Sequence, residues 1–166
     1  MSGRMNQADD VAWRSWLAWW FDGASHTVGF EVVTFPRAQV SVGIPAIVQP
    51  MSSVDAEITV RCESRGASAR QWLGDGVHYT DERVAMLAVR ASQPDFRRAA
   101  SMARQVADRL HLLLADRGAC WALERSGVSD VQAEKPLAIA DEMWRVREIR
   151  VRYRRRSLLP SLPVTA

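Results

Sequence analysis

The chain has 166 residues, of which 48% are apolar, 25% charged and 8% aromatic. That composition is ordinary for a globular protein and excludes a disordered chain, a collagen-like fibre and a disulfide scaffold. Net charge is only +3, and 21 of the 22 Lys and Arg residues are arginine, with Lys135 alone. So mild an excess does not argue for nucleic acid. Arginine is nonetheless always charged and makes planar, bidentate contacts that lysine does not.

At this length roughly 68–70% of the unfolded surface is buried on folding, enough for one core. Residues 1–10 lack the apolar stretch of a signal peptide. Apolar runs such as Trp19-Trp20-Phe21 and Leu112-Leu113-Leu114 fall far short of the ~20 residues that span a bilayer. A soluble protein made in a cytoplasm is expected. Cys62 and Cys120 are far apart, outside any CxxC pair, and read as small buried hydrophobes.

Asp9-Asp10 is expected to open a short first helix, where carboxylates favour the positive end of the dipole. Trp13, Trp16, Leu17, Trp20 and Phe21 recur at helical spacing as one apolar stripe, with Gly23 as a stop. Trp19 falls off the stripe and either flanks the core or meets another chain. Val28, Phe30 and Val32 alternate with Gly29 and Glu31, and Pro36 ends that strand. Val40 and Val42 form the next, and residues 44–48 are a short apolar run. The clearest strand is 54–63, with Val54, Ala56, Ile58, Val60 and Cys62 facing one way and charged or polar residues the other.

Residues 64–81, with glycines at 66, 74 and 76, read as a long protruding loop. Residues 84–89 are apolar on both faces and read as a central strand. The two strands then form a hairpin, 54–63 against 83–91. A long helix is expected over about 94–117, with Phe96, Ala99, Ala103, Val106, Leu110 and Leu113 as its core stripe and Gly118 just past its end. A strand over 119–124 follows, and residues 125–140 read as irregular or weakly paired. In the last strand Ile149, Val151 and Tyr153 share one face, and Arg150, Arg152 and Arg154 the other. Trp144 and Val146 have the opposite parity, which predicts a bulge near Arg147-Glu148. The fold class is thus α+β: a mostly antiparallel sheet with a long hairpin, packed by one long helix and a short N-terminal helix. One domain covers residues 1–156, and 157–166, with two prolines, is a flexible arm.

Catalytic signatures are lacking. His26, His78 and His111 fall in different elements without metal-ligand spacing, and no GxSxG elbow is present. Gly74-Asp75-Gly76 fits neither a phosphate loop nor a dinucleotide turn. No enzyme activity, cofactor or metal is expected. The main charge signal lies in residues 145–156, with seven arginines and one acid, Glu148. Three readings stand side by side: surface ion pairs with carboxylates such as Asp55, Glu57 and Glu63; a subunit interface; and a track for phosphates.

The order of elements, carried by VAWRSWLAWWF, AEITVRCESRG, VAMLAVRASQPDFRRAASMARQVADRLHLLLADRG and MWRVREIRVRYRRR, resembles the tail terminator (tail completion or neck) proteins of long-tailed bacteriophages. These stretches span about residues 11–155, and a β segment at 28–42 and the longer loop at 64–81 depart from the usual pattern. The resemblance implies a virion protein that assembles as a homo-oligomeric ring, commonly a hexamer. It would cap the tail tube, dock to head-completion or connector proteins and pass genomic DNA through its lumen without sequence specificity, with no membrane involved. Candidate partner contacts are Trp19 and, in the loop, Arg65, Arg70 and Trp72. Arg150, Arg152 and Arg154 would face the DNA channel or form ion pairs between subunits. The runner-up is a small α+β nucleic-acid-binding module using the arginine strand.

Overall fold

The computed structural model describes residues 2–43, 55–64, 70–72, 78–91, 93–139 and 145–158. The first element is helix α1 (Ser2–Trp20). Asp9 and Asp10 therefore lie within the helix, not at its start, and the predicted short helix is 19 residues long. Asp9, Ala12, Trp13, Trp16, Leu17 and Trp20 are buried. Their spacing is that of one core-facing stripe, which among the described side chains reaches a turn further upstream than the tryptophans, to the carboxylate of Asp9.

Strands β1 (Ser25–Val28) and β2 (Glu31–Thr34) pair as a hairpin with Val28 opposite Glu31. The single strand predicted here is broken by Gly29, whose φ of +61° is left-handed turn backbone open to glycine without strain. Alternation misled because only Val28 is buried, while Phe30 and Val32 are exposed. Strand β3 (Ala38–Val42) runs parallel to β4 (Ala56–Ser64), with Ala38 beside Ala56. Residues 44–48 and Val54 lie outside the described residues. Strand β4 follows the predicted alternation: Ala56, Ile58, Val60 and Cys62 are buried, and Arg61 and Glu63 are exposed.

Strand β5 (Arg70–Trp72) pairs with residues 79–81 of β6 (His78–Ala91). The predicted loop over 64–81 is therefore partly sheet. The predicted hairpin is present, from Ala56 opposite Ala91 to Ser64 opposite Arg83. Helix α2 (Phe96–Ala115) is capped by Asp95, whose carboxylate accepts the Arg97 N–H at 3.0 Å. The predicted stripe is buried except Phe96, which is exposed at the first turn.

Helix α2 stops at Asp116, whose Oδ2 accepts the Ala119 N–H at 2.8 Å and caps a third helix, α3 (Arg117–Arg125). This corrects both the strand predicted over 119–124 and the role of Gly118, which lies in the first turn of α3. Ala119, Cys120 and Leu123 are buried at helical spacing, a pattern too short to separate from a strand by eye. Gly127 turns the chain from α3 into β7 (Val128–Ala133). Its φ is +88°, and a Cβ there would lie 3.2 Å from the Arg155 guanidinium and 3.3 Å from the Arg156 carbonyl.

Strands β7 and β8 (Leu137–Ala138) both pair with β9 (Val146–Leu158), so the stretch expected to be irregular or weakly paired contributes short paired strands. The bulge in this region is in β7, between Ser129 and Gln132, where Asp130 takes a φ of 51°. Between β6 and β9 the register is unbroken from His78 opposite Leu158 to Arg90 opposite Val146. The bulge predicted at Arg147-Glu148 is therefore absent, and Val146 is buried on the opposite face from Ile149. Trp144 lies outside the described residues.

The large sheet has the order β3-β4-β6-β9-β7, with β5 beside β6 and β8 beside β9. Every pairing in it is antiparallel except β3 with β4, so the fold is α+β. Strand β6 is central, as its two apolar faces predict. One sheet face packs on all three helices, where Leu17, Leu110 and Leu123 share a core with Ile58, Leu87 and Val151. Fully burying each such side chain contributes about 1.5–3 kcal/mol. On the other face Arg61, Arg150 and Arg152 are exposed. Among the described residues no helix is long and apolar enough to cross a membrane.

Candidate functional site

Strand β9 divides its arginines by parity, since successive side chains point to opposite faces. Arg150 lies opposite Met86, Arg152 opposite Val84 and Arg154 opposite Glu82 on the face away from the helices. Arg150 and Arg152 are exposed and form no ion pair among the described residues. Arg154 differs: it lies 3.7 Å from the Asp130 carboxylate and reaches the Thr80 hydroxyl at 3.4 Å. The predicted pairing with Asp55, Glu57 and Glu63 does not form, because β6 lies between β4 and β9. Those carboxylates are engaged nearer home. Asp55 accepts the Arg37 N–H, Glu57 accepts the Ser41 hydroxyl, and Glu63 lies 3.5 Å from Arg61.

The opposite parity carries a different chemistry. Arg83 of β6 and Tyr153 of β9 are directly opposed, as are Asp81 and Arg155, all on the helix side. Into this end of the sheet α1 inserts Asp9, which is wholly buried, with Asp81 at 1% and Arg83 at 2% exposure. Arg83 donates to Asp9 Oδ2 at 2.7 Å and to Asp81 Oδ2 at 3.2 Å. The Tyr153 hydroxyl donates to the same Asp9 oxygen at 2.7 Å, and Arg155 lies 3.2 Å from its other oxygen. Two carboxylates and two guanidiniums thus balance, with Asp9, Asp81 and Arg83 buried and Arg155 at the edge. Trp13 meets Tyr153 edge-on at 5.5 Å.

Arg83, Tyr153 and the neighbouring Cys62 are shifted from their ordinary values. Burial opposes the Arg83 charge, but Asp9 and Asp81 outweigh it and hold its pKa above the ordinary value. Burial raises the Tyr153 hydroxyl well above its usual range, and nearby Cys62 and Asp9 add to the effect. Burial also pushes the Cys62 thiol up to about 12, opposed by Tyr153 and assisted by Asp10. Cys120 rises to about 11 through burial and the neighbouring Asp116 and Glu124. Thiols held protonated are poor nucleophiles. The cluster does the structural work of fastening α1 to β6 and β9.

A third feature is a groove of about 500 Å³ between α1 and α3, lined chiefly by Trp16, Trp19, Trp20 and Trp121. Trp16 closes its floor by donating its indole N–H to the Ala119 carbonyl at 2.7 Å. Trp19 and Trp121 on its sides are each 59% exposed. The Trp19 ring lies 4.9 Å from that of Trp20, edge-on, and 4.5 Å from that of His26. His26 is engaged with Asp22 at 3.0 Å. The Asp22 carboxyl is held below its usual range by the Ala24 N–H and by this histidine.

Of the residues singled out from sequence, Trp19 flanks the aromatic core with one face open. Arg70 and Trp72 lie on β5, and Arg65 lies outside the described residues. Three features escaped the sequence reading. Asp9 was readable as the residue four before Trp13, on the core stripe, and Arg83 as the residue two before Ala85, on the buried face of β6. Trp121 was hidden by reading its segment as a strand. Among the described residues no group of three or more His, Cys, Asp or Glu is placed to hold a metal ion. No protein-family model matches the chain, and no curated protein is significantly similar to it.

Proposed function

We propose that this protein is a structural virion subunit of a phage neck. In this reading it forms a ring that terminates the tail tube, joins it to the head-completion proteins and passes DNA through its lumen. The observation that carries the reading is the two-sided sheet. One face is sealed by three helices, and the other presents Arg150 and Arg152 exposed and, among the described residues, without ion pairs. A row of fixed positive charge on a rigid sheet attracts phosphates without reading sequence, since phosphate contacts position nucleic acid and base contacts specify it. Repeated around a ring, such rows would line a channel for DNA. The element order supports the same reading: an N-terminal helix, the β4–β6 hairpin, a long helix and a closing charged strand.

Electron microscopy and native mass determination of the purified protein, alone and with tail tubes, test the assembly. Rings are expected in at least one condition, and a monomer in both would overturn the proposal. Arg150→Glu with Arg152→Glu is expected to leave rings intact while impairing genome passage. The runner-up, a nucleic-acid-binding module, makes a different prediction, namely binding of duplex or single-stranded DNA by the isolated chain that falls steeply with salt. Its weakness is that among the described residues no aromatic platform accompanies Arg150 and Arg152, because Tyr153 points into the core.

A further inference from the structure

Strands β1 and β2 meet in a turn that carries an aromatic residue outward. Gly29 has a φ of +61° and Phe30 has a negative one, the pattern of a type II′ hairpin turn. Val28 and Phe35 hold the hairpin in the core. Phe30 at the tip is nonetheless 106% exposed, and Val32 near it is 74% exposed. Turns are ordinarily polar, and neighbouring large apolar side chains left in water mark a contact surface. The tip is thus an apolar knob on an anchored hairpin.

The same chain carries an apolar hole of matching chemistry. The groove between α1 and α3 has about 500 Å³ of space, with Trp19 and Trp121 at its sides and Trp16 below. Flat indole walls offer an entering phenyl ring the offset and edge-on arrangements that aromatic pairs prefer. Charge matches as well. No residue lining the groove is charged, and beside it the Arg125 guanidinium lies 5.0 Å from the centre of the Trp121 ring. Glu31, next to Phe30, is the one charged residue from Thr27 to Thr34. Glu31 and Arg125 are both exposed, and neither forms an ion pair among the described residues. Being fully exposed, Phe30 does not fill the groove of its own chain. Two unlike, complementary surfaces on one chain join copies head to tail, and close into a ring where the rotation allows.

We propose that the β1–β2 turn of one copy inserts Phe30 between Trp19 and Trp121 of a second copy, with Glu31 against that copy's Arg125. The proposal rests on the ring reading for the expectation that such junctions repeat, while a single junction needs two copies. The test is sedimentation velocity over a concentration series. Four samples are compared: the unaltered chain, Phe30→Asp, Trp121→Glu, and the two variants mixed in equal amounts. Circular dichroism checks that each variant is folded, and Ala122→Arg, also exposed in the groove, replaces Trp121→Glu if that variant unfolds. The unaltered chain is expected to self-associate and each variant alone to lose that association. The mixture is expected to form dimers, because one intact turn then meets one intact groove. Glu31→Arg is expected to weaken the association, and Glu31→Arg with Arg125→Glu to restore it. An unaltered chain that stays monomeric, a Phe30→Asp chain that associates as it does, or a mixture that stays monomeric would overturn the proposal. An unaltered chain that stops at a dimer, lost in both variants, would uphold the contact and overturn the ring. Rings that survive Phe30→Asp would do the reverse.

Discussion

Arg152 and Arg155 lie three residues apart on β9, yet one faces solvent with no ion pair among the described residues and the other closes an ion cluster with Asp9. Arg83 and Arg154 make the same contrast across the β6–β9 ladder. The first is 2% exposed between two carboxylates, and the second lies at the surface beside Asp130. Chemically identical side chains therefore do opposite work, and parity on the sheet decides which. A guanidinium turned toward the helices must find its counter-charge there, because burying an uncompensated ion costs several kcal/mol. One turned outward keeps its hydration and its availability to a partner.

The contrast is broken most severely from the buried side. Arg83→Met removes a guanidinium from between Asp9 and Asp81, leaves their negative charge undercompensated in the core and is expected to destabilise the fold by about 3–5 kcal/mol in urea unfolding. A loss under about 1 kcal/mol would show that water reaches the cluster.

Alkaline pH probes the same end of the molecule. In the unfolded chain a thiol loses its proton near pH 9.0, while in the fold Cys62 holds it to about 12 and Cys120 to about 11. The unfolded state then binds fewer protons, so stability is unaffected by these groups below pH 9 and falls as pH rises toward 11–12. The slope is about 1.4 kcal/mol per pH unit for each thiol. Urea midpoints measured from pH 8 to 11 should decline from pH 9 upward, and Cys62→Ala should flatten that decline.

The smallest effect belongs to the open face. Arg150→Ala with Arg152→Ala is expected to change stability by no more than about 0.5 kcal/mol, as exposed positions without partners do. A larger loss would place these arginines in structural ion pairs rather than on a free surface.

The sequence makes the main core legible wherever one periodicity runs long enough. The tryptophan stripe of α1, the alternation of β4, the apolar β6 and the stripe of α2 all carry through to buried residues. Short segments defeat the same reasoning. Gly29 turns an alternating run into a hairpin, and Asp116 ends one helix and starts another where three buried residues look like a strand. The ion cluster was only half visible. Asp9, Arg83, Tyr153 and Arg155 each lie on a buried parity or stripe, but their convergence depends on α1 crossing the end of the sheet beside β6 and β9.

Composition alone determined that the charge of this protein is carried by arginine, and strand alternation determined that Arg150 and Arg152 share a face. Only the tertiary structure decided which face is covered, which arginines are neutralised and that Trp19 and Trp121 meet across one groove. The physical reason is that periodicity is a property of neighbouring residues. Burial and counter-charge come from elements brought together from distant parts of the chain, here separated by 74 residues between Asp9 and Arg83 and by 144 between Asp9 and Tyr153.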